Sequence, residues 1–332
     1  MKKIRIAQIG TNGRSHANMV WGSLLKQTDV FEVVGYAFPE GERDKYPKKA
    51  EAYNGYREMT VEEILNDPTI DAVAVETDEI YLTKYSLMVA EAGKHLHMEK
   101  PGGTNLKDFE KLIETLRAKN LKFSTGYMYR FNPAVRAALE KIKSGEIGKV
   151  YAVEAHMDCI HNGETREWLS AFPGGMLFFL GCHLIDLIYT IQGEPDEIIP
   201  LNCSTGAAGV NGPDYGMVAL KYPNGVSFAK SCAAEYGGYL RRQLVICAER
   251  GTIELKPFEV SAGDTRIYTV VNEAYTPGWN EPWKTSKTEI LDRYDEMMHT
   301  FADAIMGKAE LRSYDYELNL YKLILKCCGE KI

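Results

Sequence analysis

The first third of the chain alternates short apolar runs with stretches whose apolar positions recur at helical spacing. Residues 4–9 (IRIAQI), 31–37 (FEVVGYA), 71–75 (DAVAV), 95–98 (HLHM) and 121–125 (LKFST) read as strands. Between them one helix runs to about Lys26, a short one starts at Val61, and residues 82–92 are amphipathic and closed by Gly93. Residues 105–119 place Leu106, Phe109, Leu112, Ile113 and Leu116 on one helical face. Strand and helix alternating at this interval imply parallel βαβ units with right-handed crossovers.

Past about Ser124 the pattern changes. A helix over 133–144 is closed by Gly145, and longer strand-like runs follow at 150–159, 197–204, 216–222, 226–234, 241–248 and 252–255. The turns Pro223-Asn224-Gly225 and Glu249-Arg250-Gly251 join neighbouring runs as hairpins. The chain ends with helical spacing over 290–306 and 316–327. The expected fold class is α/β: a doubly wound parallel sheet in a domain over 1–123, then a second α/β domain over 124–332 with an open, largely antiparallel sheet.

Composition narrows the partners. With 332 residues, 45% hydrophobic and 26% charged, the chain can bury two cores without disulfide staples. Acidic residues outnumber basic ones, 46 to 39, for a net charge of −7. That balance argues against nucleic acid and anionic membranes as partners. The most apolar stretch, 174–191, carries His183 and Asp186, which argues against a membrane span. The seven cysteines form no CxxC pair, and the chain enters its first strand without a signal-type apolar segment. The expectation is a soluble cytoplasmic enzyme with reduced thiols.

Two positions carry candidate chemistry. Gly10-Thr11-Asn12-Gly13 lies where the first strand gives way to the first helix. Glycines there let the backbone approach a pyrophosphate, and the helix N-terminus supplies amide donors. Only two glycines are present, so the spacing departs from G-x-G-x-x-G. The second strand ends in Phe38-Pro39-Glu40, where a ribose-binding acid belongs. Glu40 suits a 2′-hydroxyl and Arg43 a 2′-phosphate, so NAD and NADP both stay open. The second position is Glu99-Lys100-Pro101, at the carboxyl edge of the fourth strand, where open α/β sheets bind ligands.

The run from Ala90 to Pro101 (AEAGKHLHMEKP) resembles the EAGKHV…EKP signature of the Gfo/Idh/MocA oxidoreductases. YMYRFNP at 127–133 and SGEIGKV at 144–150 resemble later signatures of that family, and Gly174-Gly175 through Gly181-Cys182-His183 to Asp186 resembles its GGG…D-x-G-x-H-x-x-D segment. The motifs occur in order and span essentially the whole chain. The resemblance implies a Rossmann domain carrying NAD or NADP, with Gly10, Thr11, Asn12, Gly13, Phe38, Glu40, Thr77, Glu99 and Lys100 at the cofactor. It also implies a second domain whose sheet mediates a homodimer or homotetramer, with a carbohydrate-like substrate between the domains. Lys100 would hold the reacting oxygen and His183 would shuttle its proton. Tyr129, Arg130, His156, Asp158 and Asp186 are the implied substrate contacts; for Asp186 a purely structural role stands equally open. His156 and Asp158 share a strand face, but no second paired-ligand cluster completes a zinc site, so no metal is expected.

Three places depart from the family pattern. The acid four residues before the histidine is Phe179 here, the segment after the third strand reads Thr77-Asp78-Glu79-Ile80-Tyr81-Leu82 without its proline and histidine, and the glycine turn is short. The leading expectation is an NAD(P)-dependent oxidoreductase acting on a sugar or sugar-like polyol or ketone. Its rivals are a non-catalytic dinucleotide-binding sensor or regulatory protein, and a lyase or glycosidase using transient oxidation by tightly bound NAD.

Overall fold

A computed structural model describes residues 3–332; Met1 and Lys2, which open the expected first domain, lie outside the described residues. The chain divides into two compact units, one of residues up to 128 together with 294–321, the other of 129–293 with 322–332.

In the first unit, β1 (Ile4–Ile9), β2 (Phe31–Ala37), β3 (Ala72–Val75), β4 (His95–Met98) and β5 (Phe123–Thr125) form a parallel sheet in the order β2-β1-β3-β4-β5. Strands β3 and β5 are buried at every position, and β3 (AVAV) is the continuous apolar run expected of a strand covered on both faces. The helix over Leu106–Ala118 buries Phe109, Leu112, Ile113 and Leu116, each contributing roughly 1.5–3 kcal/mol of apolar burial. Asn105 caps it by accepting from the Asp108 amide. Strand order reverses between β1 and β3, which opens a crevice at their carboxyl ends.

Between β2 and the helix over Val61–Asn66, residues 39–53 form short helical turns that carry no periodicity in the sequence. They are held by tertiary packing: Tyr53 is fully buried against Trp21 and Tyr36. The helix over Asp295–Ile305 also packs in this unit, where Ser23 Oγ donates to Asp295 across 2.7 Å.

The second unit holds β6 (Val150–His156), β7 (Glu197–Pro200), β8 (Tyr215–Tyr222), β9 (Gly225–Cys232), β10 (Gln243–Ala248) and β11 (Gly251–Leu255). With Val270–Ala274 and Lys284–Lys287 they make an eight-stranded sheet, parallel between β6 and β9 and antiparallel elsewhere. Burial alternates along β8, so one face of the sheet is covered. The cover includes the helix over Cys182–Gln192, which packs on β6 and β9. A π-helical turn over Leu177–Gly181 leads into it. The expected helix over 290–306 is shorter: Leu291–Asp292 pair with Arg266–Tyr268 as strands, and the helix starts at Asp295. Among the described residues no helix is long and apolar enough to cross a membrane.

Candidate active site

At the carboxyl end of β1, Gly10 takes φ +97°, and a Cβ there would sit 2.6 Å from the Thr77 amide nitrogen. Only glycine permits this approach of the turn to the end of β3. The Thr11 amide donates to Glu42 Oε2 (2.9 Å), and Asn12 Nδ2 donates to Glu79 Oε2 (2.9 Å). The Tyr46 ring lies against Gly13, and its hydroxyl donates to the Asp78 carboxylate. The structure thus brings Gly10, Thr11, Asn12, Gly13 and Thr77 together at the switch point.

This donor set suits a dinucleotide diphosphate. The Thr11 amide points at a carboxyl oxygen of Glu42, and the Ser15 hydroxyl is buried with no hydrogen-bond partner, so the turn offers donors to an oxygen-rich group. Glu42 itself is fully buried, and burial pushes its carboxyl up to about 8.

Phe38 and Glu40 follow β2, whose last carbonyl, that of Ala37, accepts from the Gly10 amide (2.8 Å). Glu40 accepts from Lys84 Nζ (2.6 Å) and Tyr85 Oη (2.7 Å), and these hydrogen bonds hold its carboxyl below the ordinary value. Arg43 donates to Glu58 and Tyr36 and lies over the Phe38 ring. A pocket here is lined by Phe38, Glu40, Glu58, Glu62, Lys84 and Tyr85.

Glu99 and Lys100 follow β4, both buried, with Lys100 Nζ 3.6 Å from Glu99 Oε1. Two further acids, Glu76 and Glu79, are completely buried at the end of β3. Burial raises Glu76 to about 8 and Glu79 and Glu99 to about 7, against the opposing pull of Lys100. His97 Nε2 lies 3.5 Å from Glu76 Oε1. Burial lowers His97 to about 4, so near pH 6 both partners are neutral and the contact is no ion pair.

In the second unit, Tyr129, Arg130, His183 and Asp186 come together. The buried His183 ring meets the Tyr129 ring edge-on at 4.9 Å. Tyr129 stacks on Phe258 and donates its hydroxyl to Glu259 (2.8 Å), which Arg242 and Arg293 neutralise. Arg130 grips Asp186 with two nitrogens, Nε and Nη2, at 2.7–3.0 Å. Phe179 is buried edge-on to Trp168, so aromatic packing fills its place in the π-helical turn. Asp158 adjoins this cluster, its carbonyl accepting from Arg242 Nε (3.3 Å), and His156 pairs in register with Gln243. β6 ends at His156, and the buried Asp158 pairs with Lys230 at 3.1 Å. No group of three metal-ligating side chains occurs among the described residues.

Residues 4–127 match the family model for the NAD-binding Rossmann fold of the Gfo/Idh/MocA oxidoreductases, and residues 135–254 match that family's C-terminal domain. The chain belongs to the Gfo/Idh/MocA family. Over 139 residues it is 31% identical to the oxidoreductase YhhX of Escherichia coli, covering 42% of this chain and 40% of that one. Over 171 residues it is 26% identical to the 1,5-anhydro-D-fructose reductase of Ensifer adhaerens, covering 50% and 51%. The chain thus spans about half the length of the curated relatives it matches. Among solved structures, levoglucosan dehydrogenase in complex with NADH and levoglucosan aligns with a TM-score of 0.79 over 99% of this chain and 98% of that one. Identity there is 16%, so the likeness is one of fold.

Within this Gfo/Idh/MocA chain, Glu42, Tyr46, Glu76, Glu79, His97 and Glu259 stand at or beside the candidate positions without having been singled out from sequence as site residues. The run Glu76-Thr77-Asp78-Glu79 directly after a buried strand is the one signal that pointed to them. Glu259 had none, because its two arginine partners come from distant segments.

Proposed function

We propose that this chain is a dinucleotide-dependent oxidoreductase that moves hydride between a nicotinamide and a hydroxyl or carbonyl carbon of a sugar or sugar-like substrate. The observation that carries the reading is the shared carboxyl edge of the first sheet: a glycine turn whose amide donates to a carboxyl oxygen, and the buried Glu99-Lys100 pair two strands away. The reductase and dehydrogenase relatives support the substrate class.

Gly10, Thr11, Asn12, Gly13 and Ser15 would hold the diphosphate, with Thr77 beside them and Phe38 and Glu40 toward the ribose. The cofactor, when bound, accepts or donates the hydride. Lys100 stabilises negative charge on the reacting oxygen, and His183 exchanges the hydroxyl proton. Glu40, Glu58 and Glu62 around the ribose-side pocket favour NAD(H), because a 2′-phosphate would face carboxylates, and Arg43 is already engaged by Glu58. Exposed Tyr151 and Val226 on the second sheet support assembly of copies through that sheet. Seven free thiols suit a reducing compartment.

Fluorescence titration with NADH and NADPH, followed by a carbohydrate screen at the nicotinamide absorbance, tests this. NADH is expected to bind more tightly than NADPH, with turnover on a sugar-like alcohol or ketone. Failure to bind either nucleotide sinks the reading.

A further inference from the structure

Strand β1 (IRIAQI) ends at the glycine turn, and among its buried apolar residues stands one completely buried amide, Gln8. Burying a primary amide is costly unless its hydrogen bonds are made. Its Oε1 is buried without a hydrogen-bond partner, so the reason for an amide here lies at the other end. Nε2 donates to the Gly10 carbonyl (3.1 Å), the Ala17 carbonyl (3.2 Å) and the Tyr53 hydroxyl (2.6 Å). Gly10 opens the turn, and Ala17 is the first residue of the helix over Ala17–Lys26. One side chain thus ties both ends of the turn to the strand that feeds it. The two carbonyls also fix which end of the amide points to them, since an oxygen there would meet only acceptors. Tyr53, the third partner, is itself fully buried on Trp21 of the same helix, with ring centroids 4.8 Å apart.

The residues of the turn explain the need for such a tie. Counted from Gly10, the third glycine of G-x-G-x-x-G falls at position 15, and this chain has Ser15 there. That glycine serves the close packing of helix on strand. Here hydrogen bonds from the strand's own side chain set the approach instead. We propose that Gln8 is a positioning residue for the dinucleotide, holding the glycine turn and the first turn of the helix in the arrangement that presents their donors to a diphosphate. The inference rests on the oxidoreductase reading above and assigns the preorganisation of its phosphate turn to one buried amide. Gln8 donates to main-chain carbonyls and to Tyr53, so it acts by orienting the turn. Nucleotide that meets a turn already in place loses less affinity to ordering it. Hydride transfer, once the nucleotide is bound, does not depend on this side chain.

Two measurements on the full chain test this. The first needs no variant: in the free protein the Gln8 side-chain N–H signals, observed by NMR with labelled glutamine, are expected to be strongly protected from hydrogen exchange. Exchange at the rate of exposed glutamines overturns the proposal. The second compares NADH and ADP-ribose, which carry a diphosphate, with adenosine, which does not. Gln8→Met, close in length but without N–H donors, should weaken NADH and ADP-ribose by about tenfold or more and adenosine by less than about twofold. At saturating NADH, kcat should stay within about twofold, so the loss appears in the dinucleotide KM. Tyr53→Phe keeps both carbonyl bonds and should weaken ADP-ribose by about threefold or less. Equal weakening of adenosine and ADP-ribose, a fall in kcat at saturation, or a larger effect of Tyr53→Phe than of Gln8→Met overturns the proposal. A parent protein whose amide is protected but which binds neither NADH, NADPH nor ADP-ribose refutes the oxidoreductase reading, and the role of Gln8 with it.

Discussion

The Thr11 amide and the Glu42 carboxyl group are joined by a 2.9 Å hydrogen bond at the glycine turn, with Glu42 wholly buried. A diphosphate arriving at this turn competes for the same donor. Displaced into water, Glu42 returns from about 8 to its ordinary value near 4.5 and gives up its proton. The bound form then holds fewer protons than the free form. Dinucleotide affinity should therefore rise as pH climbs from about 4.5 to about 8 and level off above. Calorimetry in buffers of different ionisation heat should register release of close to one proton per nucleotide at pH 7, and Glu42→Gln should abolish it. Binding without proton release means Glu42 stays where it is.

Arg130 and Asp186 make the second prediction. The guanidinium grips the carboxylate through two nitrogens, and the Asp186 side chain is 1% exposed. Removing the acid strands a largely buried cation, which costs about 3–5 kcal/mol. Asp186→Ala should therefore lower the melting temperature far more than His183→Ala, while NADH binding by the first unit persists. A melting temperature unaffected by Asp186→Ala would return the residue to the list of pure substrate contacts.

How much of this was legible beforehand depended on whether the cause was local. Strands such as His95–Met98 and helices such as Leu106–Ala118 were readable to within a residue or two, because sheet burial and helical spacing are written in consecutive positions. The turn at Gly10 was readable for the same reason. Glu42 against Thr11 was not, since residues 39–53 fold by docking Tyr53 onto Trp21. Glu79 read as a departure from a family motif, but nothing in its neighbours announced its complete burial or its hydrogen bond from Asn12. The short strand pairing of Leu291–Asp292 escaped too, because two residues carry no periodicity.

Glu76 supplies a stability prediction. Both carboxylate oxygens are buried without hydrogen bonds, and burial raises the group to about 8. Below about pH 4.5 the folded and unfolded chains both hold the proton. Between that point and pH 8 the unfolded chain ionises first, so the folded state loses relative stability as pH rises. Isosteric Glu76→Gln lacks this loss. Its melting temperature should exceed that of the parent by a margin that grows from pH 5 to pH 8, where the gain reaches about 1–3 kcal/mol. Thermal scans at several pH values check this; a margin independent of pH contradicts it. His97, lowered to about 4 and present in both proteins, cancels in the difference.

Lys100→Met separates hydride transfer from mere sensing of a dinucleotide. An oxidoreductase that uses the ammonium on the reacting oxygen loses about 10²–10⁴ in turnover with this variant, whereas a sensor behaves almost normally. Nucleotide affinity should change little in either case, because the diphosphate donors lie on the glycine turn. The variant carries an independent signature as well. Lys100 is the cation that holds Glu76, Glu79 and Glu99 below where burial alone would put them. Without it the three folded-state values climb further from those of the unfolded chain, and folded stability falls more steeply with rising pH. The melting-temperature deficit of Lys100→Met should thus be larger at pH 8 than at pH 6. A deficit that shrinks over this range would mean that the lysine does not share its charge with those carboxylates, whatever the turnover shows.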